Sequence, residues 1–98
     1  MRPGRAKWGE HQQARQLQRD TLTRLRRVLG EDHPDTLTSA SRLAADLHAL
    51  GEYQQARAVD EDTLARRRRA LGNDHPDTLT SARNLAADLR ALGEPEQT

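Results

Sequence analysis

The sequence predicts an all-α solenoid in which antiparallel helix pairs stack on one another, and three observations predict it. The chain repeats with a period of 42 residues, so that Gly9–Leu50 and Gly51–Leu92 are identical at 30 of 42 positions. Within each copy, apolar residues recur at the three- and four-residue steps of an amphipathic helix. Each apolar stripe stops beside a glycine, the residue that most often follows a helix end. Repeats of this size bury their apolar faces against neighbouring repeats.

The first kind of predicted helix, helix A, covers about residues 34–50 and again about 76–92. Pro34 suits the first helical turn, where its missing N–H removes no hydrogen bond. Asp32 or His33 is in position to cap the helix from the preceding loop.

The second kind, helix B, is predicted over about residues 53–71, with an earlier copy over about 10–29. The helix order along the chain is therefore B-A-B-A. We expect residues 1–8 to form a disordered lead and residues 94–98 a tail. The repeat domain then covers residues 9–93.

Composition excludes several classes of function. Sixteen basic residues nearly balance fifteen acidic residues, so the whole chain has no strong attraction for nucleic acid or anionic lipid. Cysteine is absent, which excludes disulfides and thiolate metal sites. No apolar run approaches the roughly 20 residues that span a bilayer, and the first residues lack the apolar segment of a signal peptide. We therefore expect a cytoplasmic protein without cofactor or membrane association.

The four histidines do not predict a metal site. His33 and His75 lie one repeat apart, and stacked helices about 10 Å apart cannot bring both to one ion. We expect both to cap helices. His11 and His48 have no partner at a suitable spacing and are expected to be exposed to solvent.

The run Arg66–Arg69 raises the alternative of a nucleic-acid-binding surface. Four successive side chains point all round a helix, however, and no aromatic residues interleave to stack bases. Arg67 lies in the apolar stripe, where we expect it to extend along its own methylenes toward water. Nucleic acid is thus the less favoured partner. No nucleophile motif or facing carboxylate pair predicts an enzyme.

The segment LAADLHALGEYQQA resembles the tetratricopeptide repeat, which alternates large and small apolar residues before a glycine, an aromatic residue and an alanine. The positions that match are Leu43, Ala44, Leu47, Gly51, Tyr53 and Ala56. The 42-residue period and the LGxDHPDTL signature resemble the subclass found in kinesin light chains and in arrays attached to NB-ARC-type signalling NTPases. The resemblance implies a right-handed superhelix whose helix A residues line a concave groove for peptides or partner proteins.

The resemblance transfers groove positions to both copies of helix A. Its arginines would suit an acidic partner, because their forked donors match carboxylates; the alternative is a groove without a ligand, with merely solvated arginines. The positions are Thr38, Ser41, Arg42, Ala45, His48 and Ala49 in the first copy, and Thr80, Arg83, Asn84, Ala87, Arg90 and Ala91 in the second.

The B-A-B-A order also predicts self-association. The opening helix B lacks a preceding helix A, and the closing helix A lacks a following helix B, so the two faces are complementary. We expect a homo-oligomer, either closed or head-to-tail; a purely structural self-assembly unit is a further alternative. The residues expected at these faces are Leu17, Leu25, Val28, Leu85, Leu89 and Leu92.

Overall fold

Four α-helices make up the computed structural model, which describes residues 3–93, with side chains from residue 9 onward. They are α1 (Pro3–Val28), α2 (Pro34–Ala49), α3 (Tyr53–Leu71) and α4 (Pro76–Ala91). Each helix packs against the next along the chain, and α2 also meets α4. The predicted all-α fold with helix order B-A-B-A is confirmed. Within residues 3–93, no helix is long and apolar enough to cross a membrane.

The two A helices, α2 and α4, begin in the same way. The Nδ1 atom of His33 accepts a hydrogen bond from the backbone N–H of Asp35 at 3.1 Å. One repeat later, His75 accepts from Asp77 at 3.0 Å. A proline follows each histidine at the first helical position. The capping prediction is confirmed, and of the two candidates before α2 it is His33 that caps.

The apolar core lies where α2 is enclosed by its neighbours. Ala40, Leu43 and Leu47 of α2 pack with Leu22 of α1 and Ala56 of α3. These side chains are almost fully buried, and Ala56 is not exposed at all. α2 contacts both α1 and α3, and seven of its residues are buried, against three of α4 at the end of the described stack.

The turn between α2 and α3 depends on a glycine. Gly51 has a φ of 80°, in the left-handed region that side chains with a Cβ atom rarely adopt. Its N–H bonds the carbonyl of His48 at 3.0 Å, which satisfies a carbonyl of the last helical turn. The glycine therefore reverses the chain within a few residues and brings α3 back along α2.

The opening helix starts earlier than the sequence predicts. The expected lead at residues 1–8 and helix start near residue 10 differ from the structure, in which α1 begins at Pro3. Proline suits a first helical position, and Arg5, Ala6 and Lys7 are strong helix formers, so the helix extends without an apolar stripe. The predicted tail at residues 94–98 lies outside the described residues.

Arg67 does not extend to water as predicted. It is only 6% exposed, and its guanidinium donates to the carbonyl of Asp77 at 3.2 Å and to Oγ of Ser81 at 2.9 Å. The prediction was wrong because α4 packs over this position and offers two acceptors. The buried arginine thus joins α3 to α4.

Candidate functional site

A pocket of about 190 Å³ lies where α2 and α4 meet, and α3 closes its floor. We call the surface around it the helix-A groove. It brings together four of the predicted groove residues, Ala45, His48, Asn84 and Ala87, with three residues that were not predicted to line the groove. The full lining is Ala44, Ala45, His48, Asp60, Asn84, Ala87 and Asp88.

Two other predicted groove residues lie elsewhere. Thr38 and Arg42 line a separate depression of about 280 Å³ between α1 and α2, together with Leu25. The hydroxyl of Ser41 connects the two regions, since the amide of Asn84 donates to it at 3.5 Å. The predicted surface is therefore divided into two depressions.

The remaining predicted groove residues flank the pocket on the two A helices. Arg83 and Arg90 are exposed on α4, and Thr80 is half-buried there. Ala49 and Ala91 are exposed at the ends of α2 and α4. Arg83 and Arg90 thus lie beside the helix-A groove and Arg42 lies at the neighbouring depression, and none of the three lines the pocket itself.

His48 was expected to be exposed to solvent without a partner, but in the structure it contacts two side chains. Its Nδ1 lies 2.8 Å from Oδ1 of Asp88, and its ring meets the edge of Tyr53 with centroids 4.9 Å apart. Because a carboxylate only accepts, Nδ1 carries the proton of this hydrogen bond. His11 is also partnered, with Nδ1 at 3.4 Å from Oδ1 of Asp46. The side chains of His48 and His11 are still 39% and 35% exposed, so the expected exposure is right in part; the partners were missed because they lie on other helices.

Two carboxyl groups form the floor of the pocket. Asp60 of α3 is 3% exposed and Asp88 of α4 is 1% exposed. Burial raises the pKa of Asp60 to about 9, and the hydrogen bond and negative charge of Asp88 act in the same direction, while Arg67 opposes them. Asp60 is therefore protonated at neutral pH, and the pair carries one negative charge.

Asp60 could have been found in the sequence. It lies one turn after Ala56 and one turn before Leu64, in the middle of the apolar stripe of α3. The first copy of the repeat has Gln18 at this position. A carboxyl group among buried positions is unusual, and its appearance in one copy alone marks a difference in the pocket. Its partner Asp88 gave no such signal, because Asp46 occupies the same position in the first copy.

The arginine run does not form one basic surface. Arg67 is buried, and Arg66 pairs with Asp62 at 2.9 Å, Asp32 at 2.8 Å and Glu31 at 3.4 Å. These acids offset the charge that would attract a phosphate backbone. The positions of these side chains in the described helices thus make nucleic-acid binding less favoured than the sequence alone indicates.

The residues predicted for self-association lie on exposed or half-open faces. On α1, Leu17 is 63% exposed and Val28 is 76% exposed, whereas Leu25 is half-buried against α2. On α4, Leu85, Leu89 and Leu92 are half-buried, although their counterparts on α2 are buried. The counterparts are Leu43, Leu47 and Leu50.

Across residues 3–93, no group of three or more histidine or acidic side chains is arranged to hold a metal ion. Comparison with protein families gives a match to the tetratricopeptide repeat model twice, over residues 7–68 and 35–97. No curated protein matches the chain significantly.

Proposed function

Because this chain belongs to the tetratricopeptide repeat family, a class of repeat that generally mediates protein–protein interaction, we propose that it binds a partner protein through the helix-A groove. The observation that carries the proposal is the pocket between α2 and α4. It is concave, it is walled by Ala44, Ala45 and Ala87, and it holds a few polar groups. Apolar walls with few polar groups are typical of a site that binds a ligand.

The charges around the groove favour a segment of mixed character. Arg83 and Arg90 lie beside it on α4 and Arg42 lines the neighbouring depression, and these arginines suit acidic residues of a bound segment, since guanidinium forks pair with carboxylates. The amide of Asn84 can bond a peptide backbone, because its present contact with Ser41 at 3.5 Å is a weak one. An extended peptide is the ligand that these groups favour.

The period and loops support a narrower assignment within the family. The 42-residue repeat and the LGxDHPDTL signature support a proposed assignment to the subclass found in kinesin light chains and in arrays attached to NB-ARC-type signalling NTPases. His33 and His75, the caps of α2 and α4, are part of that signature. The signature therefore has a structural role, and the ligand specificity belongs to the groove.

The test is peptide selection from a displayed library, followed by affinity measurement on variants. Arg83→Ala combined with Asn84→Ala should remove binding of the selected peptides while the circular-dichroism spectrum is unchanged. Arg68→Ala combined with Arg69→Ala removes two positive charges from the exposed side of α3, one more than the test variant removes, and should leave the affinity nearly unchanged. Equal losses in both double variants, or no selected peptide, would contradict the proposal.

A second function, self-association, is favoured by a comparison within the repeat. Leu37 of α2 is 4% exposed, but Leu79 at the same position of α4 is 49% exposed. The packing that buries Leu37 on α2 is thus missing around Leu79 on α4, and Leu17 of α1 is exposed as well. A second copy's α1 could cover α4 as α3 covers α2.

Light scattering across a dilution series should show association that Leu17→Glu weakens. A monomer at every concentration would exclude self-association.

A further inference from the structure

The pocket floor joins two acidic side chains to apolar walls. Asp60 and Asp88 lie at the bottom, and three alanine methyl groups line the sides. Oδ1 of Asp88 is engaged by His48 at 2.8 Å. Its Oδ2 is buried and receives no hydrogen bond from a backbone, amide or basic group of the described residues. Apart from the proton that it shares with Asp60, this oxygen has no donor among the described residues, and a carboxylate oxygen can accept a second hydrogen bond, which a ligand can supply.

The chemistry of this floor selects the charge of the ligand. With a proton shared between Asp60 and Asp88, the floor has one negative charge in a poorly hydrated environment. An anion or a carboxylate is therefore excluded from the pocket itself, although the neighbouring arginines attract one outside it. Alanine walls contact methylene groups without offering them hydrogen bonds.

We propose that the pocket receives the side-chain ammonium group of a lysine in the bound partner. The four methylenes of lysine pass between Ala45 and Ala87, and the ammonium supplies donors to the carboxyl floor and to the Asn84 carbonyl. This inference rests on the proposed function, because the lysine belongs to the segment in the helix-A groove. Acidic residues beside that lysine would contact the arginines beside the groove.

The proposal predicts that Asp60 releases a proton when the lysine binds. An ammonium beside Asp60 favours its ionised form, so binding releases a proton wherever the free carboxyl is protonated. The pKa of Asp60 is about 9 in the free protein. Affinity therefore rises with pH up to about 9, by at most about tenfold per unit. The other groups that face Asp60 are Asp88, Arg67 and His48 across the pocket.

The first experiment titrates Nα-acetyl-lysine methylamide into the chain and follows the methyl signals of Ala44, Ala45 and Ala87 by NMR. The control compound is its Nε-acetyl derivative, which keeps the four methylenes but has no charge. We expect saturable shifts at these methyl groups with the lysine compound, stronger at pH 8.5 than at pH 6.5. Equal binding of both compounds, or shifts confined to other helices, would overturn the proposal.

A pair of variants completes the test. Asp60→Asn keeps a neutral, hydrogen-bonding side chain in the floor, so the fold is expected to survive, but the ionisable group is lost. The lysine compound should bind roughly tenfold more weakly to it at pH 8.5 and without pH dependence. Asp62→Asn makes the same change at an exposed position of α3 and should leave binding unchanged. Retained pH dependence in Asp60→Asn would contradict the proposal.

The outcomes also separate this inference from the proposed function. Selected peptides that require Arg83 and Asn84 but tolerate lysine-to-norleucine exchange would refute the lysine pocket and leave the protein-binding groove intact. Binding of the lysine compound without any selected peptide would refute the protein-binding groove and leave the lysine pocket intact.

Discussion

The roles of individual residues in this chain depend on contacts between helices as much as on the local sequence. His33 and His75 cap the helices next to them, so a local rule predicts their role correctly. His48 could not be predicted in this way, because its partner Asp88 lies 40 residues further along the chain. The repeat does not help, since Arg90 replaces histidine in the second copy.

Replacing Asp60 by asparagine should change how stability depends on pH. The pKa of Asp60 is raised from 3.8 to about 9 in the folded protein. The folded state therefore holds a proton that the unfolded chain releases, and the free energy of unfolding decreases as pH rises from about 4 to about 9. The stability that is full below about pH 4 is lost progressively as the pH approaches that folded-state pKa.

Asp60→Asn should therefore melt close to the native protein near pH 4 and above it at pH 8. Thermal melting followed by circular dichroism at both pH values measures the difference. Asp62→Asn, at an exposed site of the same helix, is the control and should show no such trend. A difference between Asp60→Asn and the native protein that does not grow with pH would contradict the buried, protonated carboxyl.

Replacing His75 tests whether its side chain caps α4. His75→Ala should lower the free energy of unfolding by about 0.5–2 kcal/mol, because the N–H of Asp77 loses its acceptor. His75→Asn keeps a capping oxygen and should recover most of the loss. Urea unfolding measures both, and equal stabilities of the alanine and native proteins would exclude the cap.

At the scale of the elements, the two A helices have nearly the same sequence but lie in different environments. α2 is packed between two helices, whereas α4 packs mainly on α3 within the described chain. Periodicity predicted the existence of all four helices, since each has its apolar stripe. It did not predict the start of α1 at Pro3, because a helix can extend beyond its stripe on intrinsic propensity alone. Nor did it predict Arg67, whose acceptors lie on α4.

Truncating one leucine in each A helix measures this difference. Leu37→Ala should cost about 2–5 kcal/mol of unfolding free energy, as expected for a leucine buried on all sides. Leu79→Ala, the identical change one repeat later at a half-exposed site, should cost less than about 1 kcal/mol. Equal losses in urea unfolding would show that α4 is covered as fully as α2, as a second copy of the chain would cover it.

For the whole molecule, the family and the repeat determine the architecture, and differences between the copies determine the site. The sequence predicted the α2 and α4 face as the recognition surface and four of the seven residues of its pocket. It missed the carboxyl floor, because Asp60 and Asp88 become a pair only when α3 and α4 pack. In the proposed groove, the acid pair of the floor and the exposed arginines of α4 would select a partner by its charge.

The most direct test of the proposed protein-binding groove is an NMR map of the chain saturated with a peptide selected from the displayed library. We predict that the largest shifts fall on Ala45, Asn84 and Ala87, on the face that α2 and α4 share. Shifts centred on the exposed sides of α1 and α3, at Arg24 and Arg68 for example, would contradict it.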